Sequence, residues 1–363
     1  MDDRRVLIMA GGTGGHVFPA LAVADCLRAD NVQISWLGTR RGIESELVPA
    51  RGIQLHYLDI EGIRGRGWRA LLKAPLLLWR SISQALKVLA EYKPGVVLGM
   101  GGFASGPGAV AARLKGIPVV IHEQNSVAGT TNKLSAKIAK KVMQGFPDTL
   151  VNGEWCGNPV RPEIANLPEP KIRFAERKGK ARLLVLGGSR GALAINKLLP
   201  EALARFDSAE RPEVLHQAGK AHWLDTLGYY QCQGIDTHGN EVEVVPFIDD
   251  MAKAFSWADF VICRAGALTV AELTSAGLGS LLIPFPHAID DHQTANGELL
   301  TNCGAALLFQ QDELTASLLA EQIAVVVSSP SKRLRMATQA RELAKNHAAQ
   351  RVAEVCLEVG YGA

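Results

Sequence analysis

Short runs of nearly uninterrupted apolar residues alternate along this chain with longer stretches whose apolar positions recur at helical spacing. The runs fall at 6–10, 34–37, 96–98 and 119–121, then at 183–186, 242–245, 260–263 and 281–283. Amphipathic stretches such as 19–28 and 318–327 lie between several of them. A strand that is apolar on both faces is buried on both faces, as in a parallel sheet covered by helices. Strands that alternate with helices build such sheets from β–α–β units, so the pattern predicts an α/β fold. A length of 363 residues suits two domains of ordinary size.

The polar positions that interrupt the pattern cluster where strands end. Gly11-Gly12-Thr13-Gly14-Gly15-His16 follows the first run, and Gly187-Gly188-Ser189-Arg190-Gly191 follows the fifth. The two halves thus open alike, with a strand, a glycine turn and a helix start. Glycine permits positive φ and close approach of a ligand to the backbone, so a nucleotide or pyrophosphate is the expected guest. A plain tight turn fits the same residues. A dinucleotide site needs an acid at the end of the second strand, and Gly38-Thr39-Arg40-Arg41 stands there instead. That removes NAD and leaves NADP as a weak alternative. Gly99-Met100-Gly101-Gly102-Phe103 forms another glycine turn, and His122-Glu123-Gln124-Asn125 reads as a polar loop after the fourth run. Ligands of open α/β sheets bind at this carboxyl edge. His16, His122 and Glu123 compete for the role of general base.

In the second half the most informative stretch is 260–273. A buried strand is followed by Arg264, a turn at Gly266 and a helix expected to start near Thr269. Thr269 and Glu272 have the spacing of a capping box, and they serve as a simple cap in one reading. In the other, the helix N-terminus attracts phosphate, Glu272 takes a ribose diol and Arg264 adds a positive charge. Val245 to Met251 offers an apolar loop for a base, and the loop ending at Gln293 offers an amide for sugar hydroxyls. No Asp-x-Asp and no zincin-type His pair occurs in the sequence, so the site is expected to work without metal or other cofactor.

Composition changes this picture little. The chain is 47% hydrophobic and 21% charged, with a net charge of +3. That balance fits a soluble globular protein and gives no support for nucleic acid as a partner. Six cysteines form no CxxC pair, which suggests a reducing compartment, the cytoplasm. The opening apolar run is too short for a signal peptide, and no run is long enough to span a bilayer. A proline-containing polar segment at 161–176 suits a domain boundary. The expected domains are 1–160 and 161–343, with a C-terminal helical segment, 344–363, packing back on the first. The stretch 64–80 has no acid. Its Trp68, Leu72, Leu76 and Trp79 share helical spacing, flanked by Arg69, Lys73 and Arg80. This fits either a helix lying in an anionic membrane interface or a core helix with a basic outer face. Pro75 is expected to start or kink that helix.

Taken together and in this order, the turns at 11–16, 99–103, 122–125, 157–161, 187–191, 247–251 and 264–272, with the loop to Gln293, resemble the MurG family. These are the bacterial N-acetylglucosaminyltransferases that complete lipid II for peptidoglycan. The resemblance runs from the first strand to the last helix. It implies a GT-B fold, two Rossmann-like domains facing across a cleft. It implies inverting, metal-free transfer of GlcNAc from UDP-GlcNAc to the 4-hydroxyl of the MurNAc of lipid I. It also implies a peripheral protein on the cytoplasmic face of the inner membrane, with an anionic membrane surface and other cell-wall synthesis proteins as partners. Matched by position, donor contacts fall at Ser189, at Ile248 near the uracil, and at Ala267, Leu268 and Thr269 near the phosphates. They continue through Val270 and Ala271 to Glu272 at the ribose and Gln293 at the sugar. Thr13, Gly14, Gly15, Asn125 and Arg161 are further donor positions of the family. His16, Gly101, Gly102, Phe103 and the 122–125 loop would face the acceptor pyrophosphate. The family usually carries Tyr where Phe103 stands, so any hydroxyl role is lost there or was never required. Rival expectations are a UDP-sugar epimerase, a glycolipid-forming transferase and a non-enzymatic nucleotide-sugar sensor.

Overall fold

The computed structural model describes residues 4–60, 68–175, 177–188, 191–237, 239 and 241–362, with the backbone alone at 68–73 and 289. The chain forms two compact units, Met1–Arg161 with Lys345–Ala363, and Pro162–Ala344.

The first unit is built on a seven-stranded parallel sheet in the order β3-β2-β1-β4-β5-β6-β7. Its strands are β1 (Arg5–Met9), β2 (Gln33–Gly38), β3 (Gln54–Tyr57), β4 (Val96–Gly99), β5 (Val119–Glu123), β6 (Lys141–Gln144) and β7 (Glu154–Trp155). Helices α1 (Gly14–Ala29), α2 (Glu44–Ala50), α3 (Trp68–Tyr92), α4 (Ser105–Leu114) and α5 (Thr130–Ala136) connect them. The central strands β1 and β4 are buried almost throughout, as their uninterrupted apolar runs require. The C-terminal segment carries one helix, α15 (Ala348–Tyr361), which belongs to this unit. Its Val352, Ala353, Val355 and Cys356 join Val6, Ile8 and Leu27 in one apolar cluster. The Tyr361 hydroxyl secures its end. It donates to Arg5 O at 2.8 Å and accepts from Arg5 N at 2.5 Å and Gly95 N at 3.2 Å.

The second unit carries a six-stranded parallel sheet in the order β10-β9-β8-β11-β12-β13. Its strands are β8 (Arg182–Leu186), β9 (Glu213–Gln217), β10 (Val242–Val245), β11 (Phe260–Cys263), β12 (Gly279–Leu282) and β13 (Ala306–Leu308). The helices are α6 (Pro162–Ala165), α7 (Pro170–Ala175), α8 (Leu193–Leu203), α9 (Trp223–Cys232), α10 (Met251–Trp257) and α11 (Ala267–Ala276). They continue with α12 (His292–Asn302), α13 (Ala316–Val327) and α14 (Pro330–Glu342). Arg173 closes α11 by donating to the carbonyls of Ala276 and Gly277, both at 2.6 Å. A cation among the last carbonyls of a helix complements its dipole.

Three local expectations change. Residues 122 and 123 are not loop but the buried end of β5. Helix α11 starts at Ala267 with Gly266 as its N-cap, so Thr269 lies inside the first turn and forms no capping box with Glu272. Helix α3 does not start at Pro75; the proline lies within one helix of 25 residues.

Candidate functional site

In the first unit the loops after β1, β4 and β5 gather around His16. The ring of His16 is half-buried on the first turn of α1. A Cβ built at Gly101 would lie 2.8 Å from His16 Nδ1, and Gly101 has φ +95°. Gly102, at φ +83°, abuts the backbone of Gly11 so closely that a side chain there would collide with it. Only glycine satisfies both conditions, which explains the paired glycines at 101 and 102. Phe103 is half-exposed beside them.

A chain of hydrogen bonds assigns the protons of the two histidines. Gln124 Nε2 donates to the His122 carbonyl at 3.1 Å, so this end of the amide is the NH2 group. Gln124 Oε1 therefore faces His16 Nδ1 at 2.8 Å and must accept its proton. That leaves the lone pair of His16 on Nε2. The Gln124 NH2 group also lies 3.2 Å from His122 Nδ1, which accepts. The His122 proton is then on Nε2 and donates to Gly157 O at 2.8 Å.

These contacts correct two candidates for the base. His122 is fully buried, and burial lowers its pKa from the ordinary value to about 4. Both of its ring nitrogens are engaged. Glu123 is buried as well. Its Oε1 accepts from Asn125 N at 2.9 Å and Asn125 Nδ2 at 3.4 Å, and its Oε2 accepts from Gly129 N at 3.0 Å and Asn132 Nδ2 at 2.9 Å. The carboxylate is thus a clamp on the loop from 125 to 129. Both groups are buried and engaged, whereas His16 is half-buried and its Nε2 lies outside this chain of hydrogen bonds. Gln124, which the sequence pattern did not single out, aligns His16.

Helix α1 begins without a side-chain cap and without an acid in its first turn. Thr13 and Gly15 are exposed, Gly14 and Asn125 are half-buried, and Arg161 is exposed at the end of the unit. In the second unit, α11 begins in the same way, with no side-chain cap and no first-turn acid. The first N–H groups of a helix have no partner within it, and the positive dipole end lies there. Ala267 is buried and Leu268 and Thr269 are half-buried in this turn; Val270, Ala271 and Glu272 follow, with Glu272 buried.

Arg264 departs from expectation. Its Nη1 donates to the carbonyls of Ile283 at 3.0 Å and Pro284 at 2.9 Å, and its Nη2 to Gln311 Oε1 at 2.6 Å. The guanidinium braces the loop after β12 instead of standing free beside a phosphate. Gln293 holds the same loop, accepting from Phe285 N at 2.9 Å. Ile248 N donates to Gln217 Oε1 at 3.2 Å, and the Gln217 carbonyl accepts from Gly187 N at 2.9 Å. One residue at the end of β9 thus ties the second glycine turn to the loop at Ile248. Beneath it, His216 is fully buried between Asn196 Oδ1, at 3.1 Å, and the Tyr230 hydroxyl, at 3.0 Å. Burial lowers its pKa to about 3. Ser189 lies outside the described residues. Among the described residues no group of three or more His, Cys, Asp or Glu side chains is placed to hold a metal ion.

Leu76 and Trp79 of the basic stretch are 69% and 67% exposed. The side chains of Trp68 and Leu72 lie outside the described residues. Arg80 is paired with Asp59 at 2.9 Å, so one flanking cation is neutralised. Among the described residues no helix is long and apolar enough to cross a membrane.

Residues 6–144 match the glycosyltransferase family 28 N-terminal domain, and residues 182–352 match its C-terminal domain. The UDP-N-acetylglucosamine–N-acetylmuramyl-(pentapeptide) pyrophosphoryl-undecaprenol N-acetylglucosamine transferase of Nitrosococcus oceani is 52% identical over 361 residues, covering 99% of both chains. The protein of the same name from Stutzerimonas stutzeri is 53% identical over 98% of this chain and 99% of its own. Among solved structures, MurG of Acinetobacter baumannii superposes with a TM-score of 0.86 at 38% identity, covering 98% of this chain and 99% of that one. A UDP-GlcNAc 2-epimerase from Neisseria meningitidis, at 13% identity and a TM-score of 0.68, shares the fold alone. With two parallel-sheet units, family 28 domains in both and full-length relatives at half identity, this chain has the GT-B fold and belongs to the MurG family of N-acetylglucosamine transferases.

Proposed function

We propose that this chain transfers GlcNAc from UDP-GlcNAc to the 4-hydroxyl of the MurNAc of lipid I, with inversion, giving lipid II for peptidoglycan synthesis. The observation that carries the reading is the aligned His16, whose Nδ1–H is held by Gln124. It stands among loops of the first unit that glycine lets approach one another closely.

The second unit holds the donor. The diphosphate lies at the uncapped start of α11, along Ala267, Leu268 and Thr269. Glu272 takes the ribose, the loop at Ile248 the uracil and Gln293 the sugar, with Ser189 completing the set. The first unit offers the acceptor, with its pyrophosphate near Gly101, Gly102 and Phe103. Thr13, Gly14, Gly15, Asn125 and Arg161 complete donor recognition. His16 Nε2 removes the proton from the acceptor hydroxyl as its oxygen attacks the anomeric carbon. The new bond to that carbon forms as the bond to the phosphate oxygen breaks, and UDP leaves with the electron pair. The N–H groups of α11 meet the charge that develops on the departing phosphate. Removing one contact of this kind commonly costs about 10²–10³ in rate.

The membrane reading rests on α3. Its exposed Leu76 and Trp79 have counterparts in Leu114 at the end of α4 and Leu134 in α5, 68% and 59% exposed. Helix α3 packs on α4, and α4 on α5. Arg113, Lys115, Lys133 and Lys137 are exposed on the same helices or beside them. Apolar side chains flanked by cations suit peripheral attachment to an anionic surface.

The decisive experiment measures UDP release from UDP-GlcNAc with and without lipid I. The expected result is release only with the acceptor, with lipid II as product. An epimerase would convert the donor alone, and a sensor would bind it without releasing UDP. Glu272→Ala is expected to weaken UDP-GlcNAc binding in calorimetry, and unchanged affinity would remove Glu272 from the donor site.

A further inference from the structure

One carboxylate outside the set above is built into the floor of the first glycine turn. Glu44 opens α2 and is fully buried. Its Oε2 accepts the Gly12 N–H at 2.9 Å. Its Oε1 accepts the Thr39 N–H at 2.9 Å and the Thr39 hydroxyl at 2.8 Å. Room for it is made by three glycines. A Cβ built at Gly11, Gly38 or Gly42 would collide with the Glu44 side chain. Gly38 ends β2 and Gly11 follows β1, so two adjacent strand ends lack side chains where this group lies. A buried carboxylate is costly unless hydrogen-bonded, and three donors meet this one.

The tether falls on a residue with little else to hold it. Gly12 has φ +95°, and nothing lies within 4 Å of a Cβ built there. Beyond it, Thr13 occupies the N-cap position of α1 without a side-chain cap, and the first helical bond runs from His16 N to Thr13 O at 3.1 Å. The Gly12 N–H is engaged with Glu44, so the N–H groups that a ligand can use are those that follow, at Gly14 and Gly15. We infer that Glu44 is a positioning residue for the transfer reaction. It touches no substrate. It holds Gly12 from beneath, and thereby sets the angle at which the start of α1 and His16 meet the reactants. This rests on the proposed role of His16 and its loop.

The test is Glu44→Gln, which keeps size and removes one acceptor. With the amide oxygen kept at the two Thr39 donors, the amide nitrogen faces the Gly12 N–H, and donor meets donor. The reverse orientation leaves the Thr39 N–H without an acceptor. The turn is expected to shift, and an error of about 1 Å in a reacting group costs on the order of 10²-fold. Steady-state rates with UDP-GlcNAc and a soluble lipid I analogue should show kcat lower by about ten- to a hundred-fold. The KM for UDP-GlcNAc should rise by far less than kcat falls, because the second unit holds most of the donor and Thr13, Gly14 and Gly15 only complete its recognition. Thr39→Val, which removes only the hydroxyl donor, should leave kcat within about threefold.

A Glu44→Gln enzyme with wild-type kcat, beside an inactive His16→Ala enzyme, overturns the inference and leaves the proposed function standing. A fall in kcat matched by an equal loss of donor affinity also overturns it, since that is general damage. Wild-type protein that releases no UDP with lipid I refutes the proposed function itself. Should Glu44→Gln fail to fold, Gly12→Ala strains the same residue at its positive φ without disturbing the carboxylate. It must then give a comparable fall in kcat with a far smaller change in donor KM, and wild-type kcat in that variant overturns the inference.

Discussion

Replacing Glu123 with Gln separates a clamp from a base. The carboxylate accepts two donors on each oxygen, from Asn125 on one side and from Gly129 and Asn132 on the other. Glutamine has a single acceptor atom in the same volume. If its nitrogen turns toward Asn125, the Asn125 N–H loses its acceptor. If it turns the other way, the Gly129 N–H loses its acceptor. Asn132 could then flip to present Oδ1, which has no partner, but only by giving up its bond to the His122 carbonyl. Either orientation strands at least one backbone donor, at about 1–3 kcal/mol. For a unit of this size that lowers Tm by roughly 2–4 °C per kcal/mol. The assay is a thermal melt together with initial rates measured well below the transition. The expected outcome is a melting point lower by roughly 2–12 °C, with kcat within about fivefold at low temperature. Removing a general base instead costs about 10²–10⁴ in rate and need not change stability. A wild-type melting point combined with a rate loss above about 10² would return Glu123 to the mechanism and refute the assignment of the clamp.

Other expectations follow from single contacts. Burial holds His122 near 4 and His216 near 3, while an unfolded histidine titrates near ~6.5. The unfolded chain therefore binds more protons between those values. Stability is full above about pH 6.5 and falls as the pH drops toward 4, by up to about 1.4 kcal/mol per unit for each histidine. Urea midpoints that stay flat between pH 7.5 and 5 would contradict this. Tyr361→Phe removes one donor and one acceptor shared by Arg5 and Gly95. It should cost about 1–3 kcal/mol in the first unit, and an unchanged denaturation midpoint would show that α15 is held by its apolar face alone. Trp79→Glu places a charge on the exposed face of α3. It should weaken binding to anionic vesicles without moving Tm, and equal sedimentation with vesicles would remove that face from the membrane reading.

The architecture was legible because a parallel sheet writes itself as apolar runs. All eight runs are strands. The strands without a clear signal were β3, β6, β7, β9 and β13. Gln54–Tyr57, Lys141–Gln144 and Glu154–Trp155 lie toward the rims of the first sheet, where one face or one edge tolerates polar residues. Strand β9 lies inside its sheet yet carries His216 and Gln217, whose side chains are satisfied by hydrogen bonds.

For this chain, residue order alone determined the sheet class, the pairing of glycine turns with helix starts, and the likeness to one transferase family. These follow from period, φ and local turn chemistry, which act over a few residues. Tertiary structure decided which polar side chains are engaged. Whether Glu44, Glu123, Gln124 or Arg264 is a reactive group or a brace depends on donors and carbonyls brought in from other strand ends. Local sequence carries no record of those partners, because hydrogen-bond satisfaction is settled by atoms that meet only when the sheet has assembled.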